Sequence, residues 1–368
     1  MKGLAEGRLD PSVGVTEHLD ACVGCRACET ACPAGVAYGS LLERARAQFV
    51  EPHRPVGART LFWRPLIRQV LPFRGRMAAS TIPARLARQL LVKKGKAPGW
   101  LPKSLARSLE VLPAPQPGNR LPEWTPAVGV EKGVVAVLEG CAMSVLYRRV
   151  NLATVRLLAR AGYRVWAPPA GGCCGAIHLH DGDPDGARAM ARANLAAFDR
   201  PDLVAIISNA GGCGAALHEY GELLPDDPRA KAFSTKVQDF SQFIATQDLP
   251  PMQPLDATVT YHDPCHLAHG LKVRSAPREL LKRIPGLTYV ELPESDWCCG
   301  GAGSYALLQP DLSDKLLAHK LANVEATGAS ILVTQNPPCL MQVQRGLDVA
   351  GKPVRLVHLA ELLDERYI

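Results

Sequence analysis

From Gly133 onward, short apolar runs alternate with stretches of helical period. VVAVLEGC (134–141), RVWAPP (164–169) and LVAIISN (203–209) read as buried strands. Residues 144–161 and ARAMARANLAAF (187–198) read as the helices between them. The alternation then recurs. TVTYHDPC (258–265), YVELP (289–293) and ILVTQN (331–336) are strand-like, whereas PRELLKRI (277–284) and DLSDKLLAHKLANVEATG (311–328) are helical, the latter stopped by Gly328. Such alternation predicts parallel, doubly wound α/β sheets, whose ligand sites lie at the carboxyl ends of the strands. Upstream the texture differs. Residues 3–21 form a helical lead-in, and YGSLLERARAQF (38–49) has helix-forming composition. Residues 50–127 are broken by recurrent prolines, with short helices fitting at 60–71 and 82–93.

The strand ends carry the chemistry. Cys141 matches Cys265, Cys173 and Cys174 match Cys298 and Cys299, and Cys213 matches Cys339, at offsets of 124, 125, 125 and 126 residues. Four thiols held at nearly one offset, in like contexts, establish an internal duplication. VQDFSQFI (237–244) and VHLAELL (357–363) close the two copies. Adjacent cysteines are poorly placed to form a disulfide with each other, but they can offer two thiolates to one metal. Four thiolates suit an iron–sulfur cluster or tetrahedral zinc, and spacing does not choose between them. His262, His266 and His269 flank Cys265 and could add to the second site, with a core role favoured for His269.

A further four thiols open the chain. In CVGCRACETACP, Cys22, Cys25, Cys28 and Cys32 follow the spacing C-x2-C-x2-C-x3-C-P, that of bacterial ferredoxins carrying a four-iron cubane. The chain therefore reads as an electron carrier. All twelve cysteines fall in these groups, which favours metal ligation in a reducing compartment over secreted disulfides.

Composition narrows the picture. With 368 residues and a formal charge of +7, the chain has room for several domains. No run reaches transmembrane length and MKGLAEGRLD lacks a signal core, so the expectation is a cytoplasmic protein. Between Arg44 and Arg107 Glu51 is the sole acid. That basic stretch is either a connector with solvated charges or a docking face, for a partner subunit ahead of an anionic membrane. Nucleic acid is not expected, because no binding module accompanies the charge. No dinucleotide fingerprint, P-loop or hydrolase-type serine pattern is present, so flavin and organic substrate are expected on partners.

CRACETACPAGVAYG, YHDPCHLAHG, VELPESDWCCGGAGSY and NPPCLMQV together resemble the iron–sulfur subunits of bacterial glycolate oxidase (glycolate dehydrogenase), over nearly the whole chain. The wider Cys-Cys-Gly family includes the cysteine-rich component of heterodisulfide reductase and the iron–sulfur subunits of lactate-utilisation and anaerobic glycerol-3-phosphate systems. The resemblance implies a ferredoxin-like segment (1–50), a basic connector (51–130) and two Cys-Cys-Gly domains (131–250 and 251–368). It further implies FAD on partner subunits, oxidation of glycolate or a related 2-hydroxy acid there, and electrons passed to a membrane acceptor in the quinone pool, directly or through a carrier. Peripheral attachment to the inner membrane face is the matching expectation. Two departures stand out. The family's terminal C-x-x-C has Ala210 and Asn336 at its first cysteine, leaving four thiols per site. The family carries two ferredoxin runs and this chain one, which points to a truncated sequence or one begun at an internal methionine. In two-cluster ferredoxins Cys32 would serve a different cluster from Cys22, Cys25 and Cys28.

Overall fold

The computed structural model describes residues 1–53, 57, 59–115 and 120–367. Two sheets form its frame. The first comprises β1 (Trp124–Thr125), β2 (Gly133–Val137), β3 (Tyr163–Trp166), β4 (Leu203–Ser208) and β5 (Val237–Asp239), in the order β1-β3-β2-β4-β5. The second comprises β6 (Ala257–Tyr261), β7 (Leu287–Tyr289), β8 (Ile331–Thr334) and β9 (Arg355–His358), in the order β7-β6-β8-β9. Apart from the antiparallel edge strand β1, every pairing is parallel. The order β3-β2-β4-β5 is that of β7-β6-β8-β9, so the duplication inferred from cysteine offsets is a duplication of topology. Strand β1 has no counterpart in the sequence pattern. It extends the first sheet from within the Pro-rich stretch, with Trp124 stacked on Trp166 at 5.8 Å.

The central strands are apolar along their length because helices cover both faces. Val134–Val137 and all four residues of β8 are buried. One core lies between the sheets and draws Val135, Ile207 and Phe240 from the first copy and Val259, Tyr261 and Leu359 from the second. Separate clusters cover the outer faces, around Ile206 and Leu217 on one side and Leu332 and Val343 on the other.

The copies meet reciprocally. Helix 148–160 of the first packs on helix 359–364 of the second, and helix 240–245 packs on helix 275–282 in the same manner. Between them, His358 Nε2 donates to the Asn209 carbonyl at 2.9 Å, while Gln335 Nε2 donates to Ser241 Oγ at 3.2 Å. Each copy thus closes on the other, in the manner of a two-fold dimer fused into one chain. Asp239 and His358 hold corresponding places and cap the helix that follows, accepting from Ser241 N–H and Ala360 N–H.

Among its described residues the connector is packed on the two copies rather than loosely solvated. Wide helical turns at 59–63 and 66–70 lead into one helix over 74–91, which contains Pro83 and starts well before the 82–93 that the sequence suggests. Residues 54–56, 58 and 116–119 of this stretch lie outside the described residues. The expectation of solvated charges fails for Arg46, Arg68 and Arg107, all buried. Arg68 Nε donates to Asp181 at 2.7 Å and Arg107 to Asp314 at 2.7 Å, so the connector is pinned to both copies. Ile82, Leu86 and Leu90 remain exposed in a row along helix 74–91.

His358 gives a test of the inter-copy contact. Burial pulls its imidazole down to about 4, so it folds neutral, whereas the unfolded chain takes up a proton near 6.5. Its contribution is therefore present above about 6.5 and is lost as pH falls towards 4. Asp239, pushed up to about 6 by burial, works in the opposite sense. His358→Ala should cost about 2–4 kcal/mol at pH 7.5, from the lost buried hydrogen bond and the cavity. That penalty should shrink on acidification to pH 5, as read by denaturant unfolding of both proteins. A pH-independent penalty would contradict the assignment.

Candidate metal centres

Each copy delivers its four thiols from the carboxyl ends of three adjacent strands. In the first, Cys141 opens the helix after β2, Cys173 and Cys174 sit in the loop after β3, and Cys213 lies in the first turn of helix 211–218 after β4. In the second, Cys265 follows β6, Cys298 and Cys299 follow β7, and Cys339 lies in the first turn of helix 337–350 after β8. Helix starts place free N–H groups and positive dipole ends beside sulfur, which favours thiolate. In both copies the glycine after the pair reaches back: Gly175 N–H and Gly300 N–H each point to the first sulfur of the pair at 3.4 Å. These turns need glycine. Gly175 and Gly300 have φ of +86° and +78°, and a Cβ on Gly300 would fall 2.6 Å from the Ser313 carbonyl oxygen.

All twelve cysteines are free thiols. In the first copy contacts run from Cys141 to Cys173, on to Cys174 and on to Cys213. In the second they run from Cys265 through Cys298 and Cys299 to Cys339. The hydrogen bond with Cys173, then burial, push the Cys141 thiol well above its usual range, and Cys299 and burial do the same to Cys339. Cys265 is drawn well down by its hydrogen bond with Cys298, with His266 adding at 3.6 Å. Four neighbouring sulfurs, all buried in the second set and half-buried at Cys141 and Cys213 in the first, cannot all ionise on their own, because each negative charge opposes the next. A bound cation removes the conflict, so both sets have the donor chemistry of a metal centre.

The surroundings of the two sets differ. Behind the first, Asn194 donates to the Cys173 carbonyl at 2.8 Å and Tyr220 to that of Cys174 at 2.9 Å. Behind the second, the place of Asn194 is taken by the buried Lys320, whose Nζ donates to the Glu294 and Ser295 carbonyls at 2.6 and 3.2 Å. His262, Cys299 and Cys339 present donor atoms within 4.8 Å of one another, all buried. Asn336, at the position of the missing family cysteine, points its amide to Cys339 Sγ at 3.5 Å. His269 is buried but bonds Thr30 Oγ1 at 2.8 Å, in keeping with a structural role.

The N-terminal run is docked on the second set. Tyr305, near Cys298, donates to the Ala21 carbonyl at 2.8 Å, and its phenol is pushed up to about 12 by burial and then by Cys22 and Cys298. Burial raises the Cys25 thiol to about 11, and Cys265 is near enough to add to the shift. Backbone N–H groups of Val36 and Ala34 lower the Cys32 thiol, as a loop that cradles a cluster should. Arg26, in a left-handed conformation, joins Glu29 to Glu219 of the first copy, and Arg46 holds the carbonyls of Leu19, Cys22 and His180. Sequence reasoning misses Arg26, Arg46, Tyr305 and Lys320. Only Lys320 leaves a trace, as the repeat partner of Asn194.

The site and fold define a cysteine-rich metal protein with a ferredoxin-type segment, and comparison with known proteins places it among the iron–sulfur, electron-transfer subunits of oxidoreductases. The Cysteine-rich domain family matches residues 135–218 and 259–344, and the 4Fe-4S binding domain family matches 15–38. A probable glycolate oxidase iron-sulfur subunit from Bacillus subtilis is 38% identical, covering 99% of this chain and 86% of that protein. The glycolate oxidase iron-sulfur subunit of Escherichia coli is 32% identical with the same coverage. Lactate utilization protein A of Halalkalibacterium halodurans is 33% identical over 63% of this chain and 97% of its own length. Among solved structures, a hypothetical protein from Helicobacter pylori shares the fold with a TM-score of 0.50 at 11% identity, over 84% of this chain and 64% of that one. The chain belongs to the family of glycolate oxidase iron-sulfur subunits. Among the described residues no helix is long and apolar enough to cross a membrane.

The two glycines make the thiol turn testable. Gly300→Ala should destabilise by more than about 2 kcal/mol, from clash and positive φ, and should lower metal content. Gly172→Ala, with no atom within 4 Å of its added Cβ, should stay within about 0.5 kcal/mol of the parent. Thermal unfolding with metal analysis reads both, and equal effects would refute the role given to the Gly300 turn.

Proposed function

We propose that this chain is the electron-transfer subunit of a flavin-dependent 2-hydroxy-acid dehydrogenase, with glycolate the favoured substrate. FAD and glycolate oxidation belong to partner subunits, and the electrons leave towards a membrane acceptor in the quinone pool, directly or through a carrier. The observation that carries the reading is the docking of the Cys22–Cys32 loop on the second thiol set, a contact that suits a relay. Names of the relatives favour glycolate over lactate.

In this reading Cys22, Cys25, Cys28 and Cys32 serve cubane chemistry at the N-terminus. Cys265, Cys298, Cys299 and Cys339 serve a second iron–sulfur centre, and Cys141, Cys173, Cys174 and Cys213 a third centre of iron or zinc. Bound clusters would supply one-electron carriage between a two-electron flavin donor and the acceptor. The chain's own residues hold this path in register. Arg26 and Arg46 tie the loop to the first copy, Tyr305 and Thr30 seat it on the second, and burial of the second set limits solvent reorganisation. The exposed row of Ile82, Leu86 and Leu90, in a basic stretch, is the face available to the flavin partner.

Co-expression with the flavin subunits, followed by anaerobic addition of glycolate, tests the reading. Glycolate should reduce flavin and then the clusters, seen by optical and EPR signals. Cys25→Ser should cut reduction of an added quinone at least about tenfold while flavin reduction persists. Reduced flavin beside oxidised clusters would overturn the relay, and reduction by lactate alone would overturn the substrate. Disulfide turnover by the isolated chain would favour a heterodisulfide-type enzyme instead.

A further inference from the structure

We infer that Nε2 of His262 is a ligand of the metal centre at the second thiol set, giving that centre a mixed sulfur and nitrogen shell. The inference rests on the reading that this set holds metal, and it goes further by assigning a donor that the thiol pattern does not contain.

The imidazole is 1% exposed, at the end of β6. Its Nδ1 lies 3.1 Å from the Ser295 carbonyl. A carbonyl can only accept, so Nδ1 carries the proton and Nε2 presents a bare lone pair. That carbonyl is held in turn by Asp263 N–H at 3.1 Å and by Lys320 Nζ at 3.2 Å, which fixes the ring's orientation. Nε2 itself is buried with no partner at normal hydrogen-bond distance, and the Cys299 thiol is the polar group that faces the imidazole. Leaving such an atom unsatisfied costs about 1–3 kcal/mol, so its retention calls for an occupant. The atoms converging with it are Cys299 and Cys339 sulfurs, donor atoms of all three residues lying within 4.8 Å of one another. A histidine whose distal nitrogen donates to a carbonyl while the other faces thiolates is a common arrangement for a metal ligand.

Comparison within the chain sharpens the case. The repeat partner of His262 is Leu138, buried and without a donor, so the first set is sulfur alone. His178 also has a buried Nε2 without a partner, but among the described residues no metal-ligating pair converges on it. His266 faces Cys265 through Nδ1 and meets His180 at a tilt, with ring centroids 5.1 Å apart, which makes it a neighbour of the set rather than the donor assigned here. The duplication has therefore produced two centres of different chemistry, the second carrying a neutral nitrogen donor beside its four thiols.

The full chain, purified anaerobically with its metal, provides the test. For iron, pulsed EPR of the reduced protein should show a strongly coupled ligand nitrogen. For zinc, X-ray absorption should show a nitrogen shell at about 2.0–2.1 Å beside sulfur at about 2.3 Å. His262→Cys should retain metal and lose the nitrogen signal, while His266→Leu should keep it. A sulfur-only shell in the parent protein, or a nitrogen signal that survives in His262→Cys, would overturn the assignment while leaving the metal centre in place. Absence of metal from Cys265, Cys298, Cys299 and Cys339 would overturn both.

Discussion

Eight thiols are gathered into two sets, the second wholly buried, in which each sulfur acts on the next. That crowding is the constraint on which the rest of the molecule turns. Without a cation the thiols hold one another's protons, and with one they become a ligand shell. The two sheets, the glycine turns after each cysteine pair and the helix starts bearing Cys213 and Cys339 are the means by which a chain can bring four sulfurs together. Parallel sheets suit this task because every carboxyl end falls on one side and a switch of strand order opens a crevice there. In each copy the reversal lies between the first and third strands, β2 and β4 or β6 and β8, and thiols flank it.

Duplication made the frame symmetric, and later substitution made the sites unlike. Reciprocal helix packing and the His358 and Ser241 contacts keep the copies in a two-fold relation. Within it, Leu138 corresponds to His262, Ala142 to His266 and Asn194 to Lys320 across the repeat. Every one of these exchanges adds a nitrogen donor or a cation to the second set, and that is also the set on which the ferredoxin loop sits. The chemistry of the second site and its position in the relay thus point the same way.

The repeat is legible in the sequence because strand-end cysteines and buried apolar runs survive duplication together. Legibility falls where a signal is weak or distant. YVELP reads as a strand over 289–293, yet β7 spans Leu287–Tyr289, since an edge strand with one pairing partner has little apolar pattern and Pro293 offers no N–H. The helix read at 82–93 in fact spans 74–91, with Pro83 exposed inside it. The buried arginines are invisible in the sequence because Asp181 and Asp314 lie 113 and 207 residues from their partners. For the same reason the docking of Cys22–Cys32 on Cys265 and Cys298 can be learned only from the fold, as can the orphaned Nε2 of His262.

The most direct test of a metal relay through the second thiol set is anomalous diffraction from anaerobically grown crystals, at the iron and zinc edges. Such a relay requires an iron peak enclosed by Cys265, Cys298, Cys299 and Cys339, beside a second iron peak at the Cys22–Cys32 loop. Disulfides or reduced thiols with no anomalous density at the second set, or zinc there without iron, would contradict it.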